Sequence, residues 1–220
     1  MKFKYLFYSL LALSLTSCTK TEKTYYPDGN IQSSIQYRFG KENGIAKYYF
    51  DIPNTLEIEM EMRHGKRNGE FHRYFKNGLL DTYCQYVNDS IEGVEINYLA
   101  NGNKMQEFTY TRGKKNGPHK AYHLSGEIKI EGNFKNDLFD GDWTYYDERG
   151  VLVGEGSFKE GTGSVMFYDN KGLPLRLTRY LHNKKHGKEE YYTPSGAVMK
   201  EIVYKKDRII SEKTDSSLVR

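Results

Sequence analysis

The chain has 220 residues, with 33 Lys and Arg against 29 Asp and Glu, for a formal charge of +4. If Lys2 and Lys4 leave with an N-terminal leader, the charge falls by two to +2, a near-balance that excludes a strongly basic nucleic-acid binder. There are only two cysteines, Cys18 and Cys84, too few for a disulfide framework once Cys18 has another use.

The chain opens MKFKYLFYSLLALSLTSC. Lys2 and Lys4 form a positive start, and an apolar stretch follows from Tyr5 to Leu15. That stretch is about eleven residues, against the roughly 20 needed to cross a bilayer core. It reads as a secretory leader, residues 1–17, rather than a membrane span. Its end, Leu15-Thr16-Ser17-Cys18, resembles the bacterial lipobox, in which small residues precede a cysteine that is lipidated and becomes the first residue. The resemblance implies a lipid anchor on Cys18 and a place in the bacterial cell envelope. By the bacterial sorting rule, Thr19 rather than Asp in the next position implies the outer membrane. Residues 18–24 are then the lipidated cysteine and a short tether that holds the rest close to the membrane.

From Tyr25 to Tyr204 the sequence repeats. Turn residues recur at Gly29, Asn54, Gly78, Gly102, Gly126, Gly150, Gly172 and Gly196, spaced by 25, 24, 24, 24, 24, 22 and 24. An aromatic stands four residues before each, from Tyr25 and Phe50 to Tyr192. A large apolar residue stands eight after each, from Tyr37 and Met62 to Tyr204. Such a fixed period identifies a repeat architecture. Within a unit, Thr55-Leu56-Glu57-Ile58-Glu59-Met60-Glu61-Met62 alternates strictly, the period of a half-buried strand. Tetrads such as KENG (41–44), KRNG (66–69), KKNG (114–117) and KKHG (184–187), with FDG (139–141), supply Gly-containing turn signals. They predict a tight hairpin at each tetrad. A second strand ending in an aromatic pair follows, then another turn. Both spacing exceptions fall at expected turns, DIPN (51–54) and the shortened FKEGTG (158–163).

Hairpin-length links imply an all-β fold: an extended, twisted, single antiparallel sheet of about fifteen strands, built from tandem β-hairpin repeats. The unit Y-x(3)-G-x(7)-Y-x(6)-G-x(4)-Y resembles the variant class of MORN repeats over residues 25–204. The resemblance implies a β-hairpin array serving as a scaffold or binding surface, with no catalytic residues. It also implies likeness to the antitoxin component of a polymorphic toxin system. Asn54 and Met62 depart from the pattern, and Asn tolerates the left-handed backbone that a turn Gly supplies.

Aromatics outside the repeat register are the candidate partner-binding residues: Phe71, Tyr83, Trp143, Tyr145 and Phe167, with Trp143 first because it is the only tryptophan. Lys41, Lys66, Arg67, Lys114, Lys115, Lys184 and Lys185 align as a candidate basic edge, which would suit an anionic partner such as a lipid headgroup. Ser90-Ile91 and Leu138-Phe139 interrupt it. Cys84 shares strand parity with Leu80 and Tyr86 and reads as a buried, inert thiol. His119 with His123, and His182 with His186, fall short of the three or four ligands of a zinc site, so no metal or other cofactor is expected. GEGSFKEGTG (154–163) lacks the Lys-Ser/Thr of a phosphate-binding loop. The tail, residues 205–220, leaves the register and ends in a polar stretch expected to fray. The reading is a membrane-anchored, non-enzymatic scaffold for a protein partner, with a glycan or envelope polymer as the alternative and no nucleic acid.

Overall fold

The computed structural model describes residues 19–218, so the leader and Cys18 lie outside the described residues. Its strands are β1 (Thr19–Tyr25), β2 (Ile31–Arg38), β3 (Lys41–Tyr49), β4 (Leu56–Arg63), β5 (Lys66–Tyr74) and β6 (Leu80–Val87). Next come β7 (Ser90–Tyr98), β8 (Lys104–Thr111), β9 (Lys114–Tyr122), β10 (Ile128–Lys135), β11 (Leu138–Phe139) and β12 (Gly141–Tyr146). The last six are β13 (Leu152–Lys159), β14 (Thr162–Tyr168), β15 (Pro174–Leu181), β16 (Lys184–Tyr192), β17 (Val198–Lys205) and β18 (Arg208–Thr214). Each pairs antiparallel with its sequence neighbour, so the chain makes one open meander. The strands β11 and β12 are two pieces of one strand, broken at Asp140, and both pair with β10. No helix among the described residues is long and apolar enough to cross a membrane.

That break, β1 and β18 account for the 18 strands in place of about fifteen. The expected tether is a strand from Thr19 onward, paired with β2 from Thr19↔Arg38 to Tyr25↔Ile31. The expected fraying tail turns at Lys206-Asp207 and pairs with β17 as β18. Neither segment buries an apolar face. Threonines and isoleucines favour extended backbone, and the neighbouring edge supplies the ladder that a polar sequence does not announce.

The tight turns lie two residues ahead of the tetrads expected to make them. They are the eight pairs Phe39-Gly40, His64-Gly65, Asn88-Asp89, Arg112-Gly113, Asn136-Asp137, Glu160-Gly161, His182-Asn183 and Lys206-Asp207, all with positive φ at both residues. That is the signature of the two-residue hairpin turn whose twist matches the flanking strands. KENG, KRNG and KKNG begin the second strand instead. Their glycines sit where the register slips, Gly69 at φ 128 between Met62↔Arg67 and Met60↔Phe71, and Gly117 at φ 131 between Tyr110↔Lys115 and Phe108↔His119. Each is a bulge that bends the strand and deepens its twist.

In five of the units the residue before the second-strand glycine braces the next repeat, and His186 before Gly187 does not. Asn43, Asn68 and Asn116 accept side-chain hydrogen bonds from the turn amides of His64, Asn88 and Asn136 at 3.3, 3.3 and 3.4 Å. Glu92 and Asp140 do the same for Arg112 and Glu160 at 2.7 and 3.2 Å. On the opposite edge the repeat glycines close longer turns. Gly78 N–H donates to Phe75 O at 2.9 Å with φ 80, and Asn54 takes the equivalent place at φ 56.

The 22-residue spacing has a specific cause. Strands β13 and β14 pair without a slip from Gly154↔Phe167 to Lys159↔Thr162, so the sixth unit keeps its tight turn and lacks the bulge. Its turn is drawn in, and Asn183 reaches past it. Asn183 Nδ2 donates to Asp137 O at 2.8 Å, and its Oδ1 accepts from Phe139 N–H at 2.8 Å.

Burial is one-sided. A cross-strand row runs through Ala46, Met60, Phe71 and Cys84, then Phe108, His119 and Gly132, then Trp143, Gly156, Val165, Thr178, Glu189 and Ile202. This inner face holds the core cluster of Phe108, Phe134, Trp143, Phe158 and Val165. The Phe139 and Tyr180 rings are 6.4 Å apart although three strand steps separate them, about 14 Å in a flat sheet. The inner face is therefore concave at the shortened unit. The outer face is polar and pairs its own charges across strands, as in Lys47–Glu59 at 2.7 Å and Lys188–Glu201 at 2.7 Å.

Candidate functional site

Trp143 does not offer an exposed ring. It is 3% exposed, set against Phe139 at 4.5 Å and Phe134 at 5.3 Å. Glycine makes the room. A Cβ on Gly132 would stand 2.2 Å from the indole, and Gly156 is Trp143's cross-strand partner on the other side. The same pairing of large with absent side chains sets Phe167 over Gly154 and Phe158 over Gly163. The extra glycines of β10 and β13 were the sequence signal for this packing.

The other candidates separate by face. Phe71 is half-buried on the inner face, edge-on to Tyr86 at 5.7 Å, whereas Tyr83 stands on the outer face against His72 at 5.1 Å. Tyr145 and Phe167 meet on the inner face at 5.1 Å. Burial, with Tyr180 nearby, pushes the Tyr145 phenol up to about 12. Beside them is a groove of about 390 Å³ lined by Val153, Phe167, Tyr168, Leu175, Arg176 and Tyr191. The Arg176 guanidinium lies 4.5 Å from the Phe167 ring centre, and its buried Nε has no hydrogen-bond partner.

Glu189 was not singled out by sequence reasoning, yet it is the most unusual inner-face group. It is 1% exposed, accepting from Thr178 Oγ1 at 2.7 Å and Lys185 Nζ at 2.8 Å. Burial opposes its ionisation, but the Lys185 and Thr178 hydrogen bonds and the charges of Lys185 and Arg176 outweigh it and hold the carboxyl below its usual range.

The basic edge divides in two. Lys41, Lys66, Lys114 and Lys184, each directly after a tight turn, are exposed. The next residue in each tetrad turns inward. Arg67 lies 4.1 Å over Tyr86 and Lys115 3.4 Å over Phe108, while Lys185 pairs with Glu189. Ile91 and Phe139 occupy the same inward position opposite Tyr86 and Phe134, so the interruptions in the lysine pattern are apolar replacements on the inner face.

Cys84 is buried, and burial followed by the charge of Glu95 raises its thiol to about 11. His119 stacks on Phe108 at 4.4 Å, and burial lowers its pKa. His123 instead reaches Tyr146 O at 2.8 Å on the long-turn edge. Among the described residues no three His, Cys, Asp or Glu side chains converge on a common point.

The family comparison joins this geometry to the sequence pattern. Residues 19–38, 115–136, 139–160 and 185–206 match the MORN repeat variant. The chain carries MORN repeat variants in these four regions. The segments 115–136, 139–160 and 185–206 each run from one tight turn to the next, taking a second strand, a long turn and a first strand, and 19–38 takes β1, a long turn and β2 up to the first tight turn, so the matched repeats include β1. No curated protein matches the chain. Among solved structures it is similar to a chain in the crystal structure of TcdB2-TccC3-TEV, with 12% identity and a TM-score of 0.24. That likeness covers 84% of this chain and 12% of the other.

Proposed function

We propose that the chain is a non-enzymatic scaffold, anchored in the bacterial envelope through a lipid on Cys18, that binds a protein partner on its concave inner face. The observation that carries this reading is the contrast between the faces. The outer face satisfies its own charges, as in Lys47–Glu59 and Lys188–Glu201. The inner face keeps half-buried tyrosines beside cations, including Tyr86 with Arg67 and Tyr191 with Arg176. Aromatic and arginine side chains in partly desolvated settings carry much of the energy of protein interfaces. The leader and the lipobox-like Leu15–Cys18 support the address and, with Thr19, the outer membrane. An immunity-type protein neutralising a toxin and an envelope scaffold both fit this reading.

A second reading has its own observation. On the outer face of the shortened unit, a groove of about 500 Å³ is lined by Asp142, Thr144, Glu155, Ser157, Ser164 and Tyr168, among others. Hydroxyls and carboxylates beside the Tyr168 ring, with Met166 and Leu177 as apolar floor, suit a glycan. Cross-linking in intact membranes followed by purification separates the two. One stoichiometric protein, lost when Phe167→Ala leaves the circular dichroism unchanged, supports the inner-face reading. Retention on purified peptidoglycan or polysaccharide without such a protein supports the glycan.

A further inference from the structure

We infer that the inner-face groove beside Phe167 is a binding site for a small aromatic carboxylate, with the Arg176 guanidinium as its anion partner. Such a site is separate from the proposed protein partner and does not require one. The groove, about 390 Å³, lies over β13 to β16 and is lined by Val153, Phe167, Tyr168, Leu175, Arg176 and Tyr191. That volume is in the range of small-molecule sites, which are mostly apolar with a few placed polar groups.

Arg176 is a cation without a carboxylate of its own. It stands four residues after the repeat Gly, where other units carry Ser33, Ile58, Thr82, Gln106, Ile130 and Gly154. The last unit has Lys200 there, and that ammonium is paired with Glu212 at 2.8 Å. The carboxylate beside Arg176 is Glu189, whose Oε1 is 3.9 Å from Nε and beyond hydrogen-bond reach. Glu189 already accepts from Thr178 Oγ1, Lys185 Nζ and the Tyr191 hydroxyl at 2.7, 2.8 and 3.3 Å. Two cations therefore share one saturated carboxylate, and a positive charge is left over on a side chain only 32% exposed. Phe167 and Tyr191, the cross-strand partners of Arg176, flank it with ring centres 4.5 and 6.0 Å from the guanidinium carbon. Rings on both sides hold the plane of the guanidinium fork.

The rest of the lining chooses the rest of the ligand. Strands β13 to β16 are each paired on both sides, so their backbone groups are spent in the ladder and offer a bound peptide no amide partners. The Tyr168 hydroxyl donates to Glu155 at 2.7 Å, and that of Tyr191 to Glu189. Arg176 remains, with its buried Nε lacking any hydrogen-bond partner. A ligand with one planar anion on an apolar body leaves no polar group unpaired in such a groove. A carboxylate matches the guanidinium fork with two parallel hydrogen bonds, and an aryl body packs on the Phe167 and Tyr191 rings and on Val153 and Leu175.

The test uses the full chain, purified in mild detergent, and the photo-reactive probe 4-benzoylbenzoate, two rings with one carboxylate. After irradiation the protein is digested and the cross-linked residues are located by mass spectrometry. The expected result is saturable cross-linking at Val153, Leu175 or the residues beside them, about tenfold or more weaker for the neutral 4-benzoylbenzamide. Arg176→Gln, with folding checked by circular dichroism, should lose the preference for the acid, while Lys200→Gln keeps it. Equal cross-linking by acid and amide in the wild type, a comparison that needs no variant to fold, would overturn the inference. So would cross-linking of the acid at other cations instead of the groove, or a preference for the acid that survives in folded Arg176→Gln. No partner protein enters the experiment, so a failed search for one leaves its result standing.

Discussion

Glu189 carries a carboxylate in a row where Ala46, Phe108, Trp143 and Val165 carry methyls and rings. Lys185 and Thr178 hold it there, and removing it strands the Lys185 ammonium. Glu189→Ala should cost about 3 kcal/mol, measured by urea unfolding at neutral pH. Because the folded-state carboxyl titrates below its ordinary 4.5, its contribution is present above that pH and is lost as pH falls through the lowered value. Stability of the wild type should therefore drop below about pH 4.5 more steeply than that of the Ala variant. Tyr145 acts in the opposite range. Its phenol is raised to about 12, so its contribution is complete below pH 10 and is lost as pH rises through 12. Gly132→Ala drives a Cβ into the Trp143 indole and should cost about 1–3 kcal/mol, while Trp143→Ala should cost about 3–5 kcal/mol. Those are folding effects, and at equal fraction folded the Trp143 variant should retain partner binding. The aromatic content of the core was legible from the sequence. Which ring is buried was not, because it depends on the glycine across the strand rather than on the ring itself.

At the scale of elements, the alternation in β4 and the Gly period gave the strands and their order directly, since both are local properties of the chain. The tight turns were displaced by two residues because Asn-Gly signals positive φ wherever it occurs, in a bulge as readily as in a turn. What distinguishes them is the partner strand. The register at Met62↔Arg67 fixes the turn at His64-Gly65 and leaves Gly69 to the bulge. The bulge glycines are not equivalent. Gly117 has φ 131, and a Cβ there would stand 3.0 Å from Thr109 Cβ, whereas Gly93 has φ 80 with open space around it. Gly117→Ala should therefore destabilise by about 1 kcal/mol more than Gly93→Ala, compared by thermal unfolding. The strands β1 and β18 escaped sequence reading because an exposed edge strand needs no apolar alternation, only a neighbour with free backbone groups.

For the whole molecule, a single-layer array of hairpin repeats has two faces and two edges, and its chemistry is distributed by that geometry. Neighbour-only pairing makes it quasi-one-dimensional, so stability is shared out repeat by repeat while the charge of an edge is a property of the entire chain. The basic edge was partly legible in the tetrad lysines. Its full extent was not, because Arg38, Arg63, Arg112, Lys135, Lys159 and Lys205 join it from the strand before each turn or from the turn itself, and only the correct turn position reveals them. Lysine acylation of the folded protein, compared with the same protein in urea and read by mass spectrometry, tests this organisation most directly. Lys41, Lys66, Lys114 and Lys184 should react in both states, while the inward-turned Lys115 and Lys185 should be protected in the fold and react in urea. Equal reactivity of Lys115 and Lys185 in the two states, or protection of Lys41, Lys66, Lys114 and Lys184 instead, would contradict it.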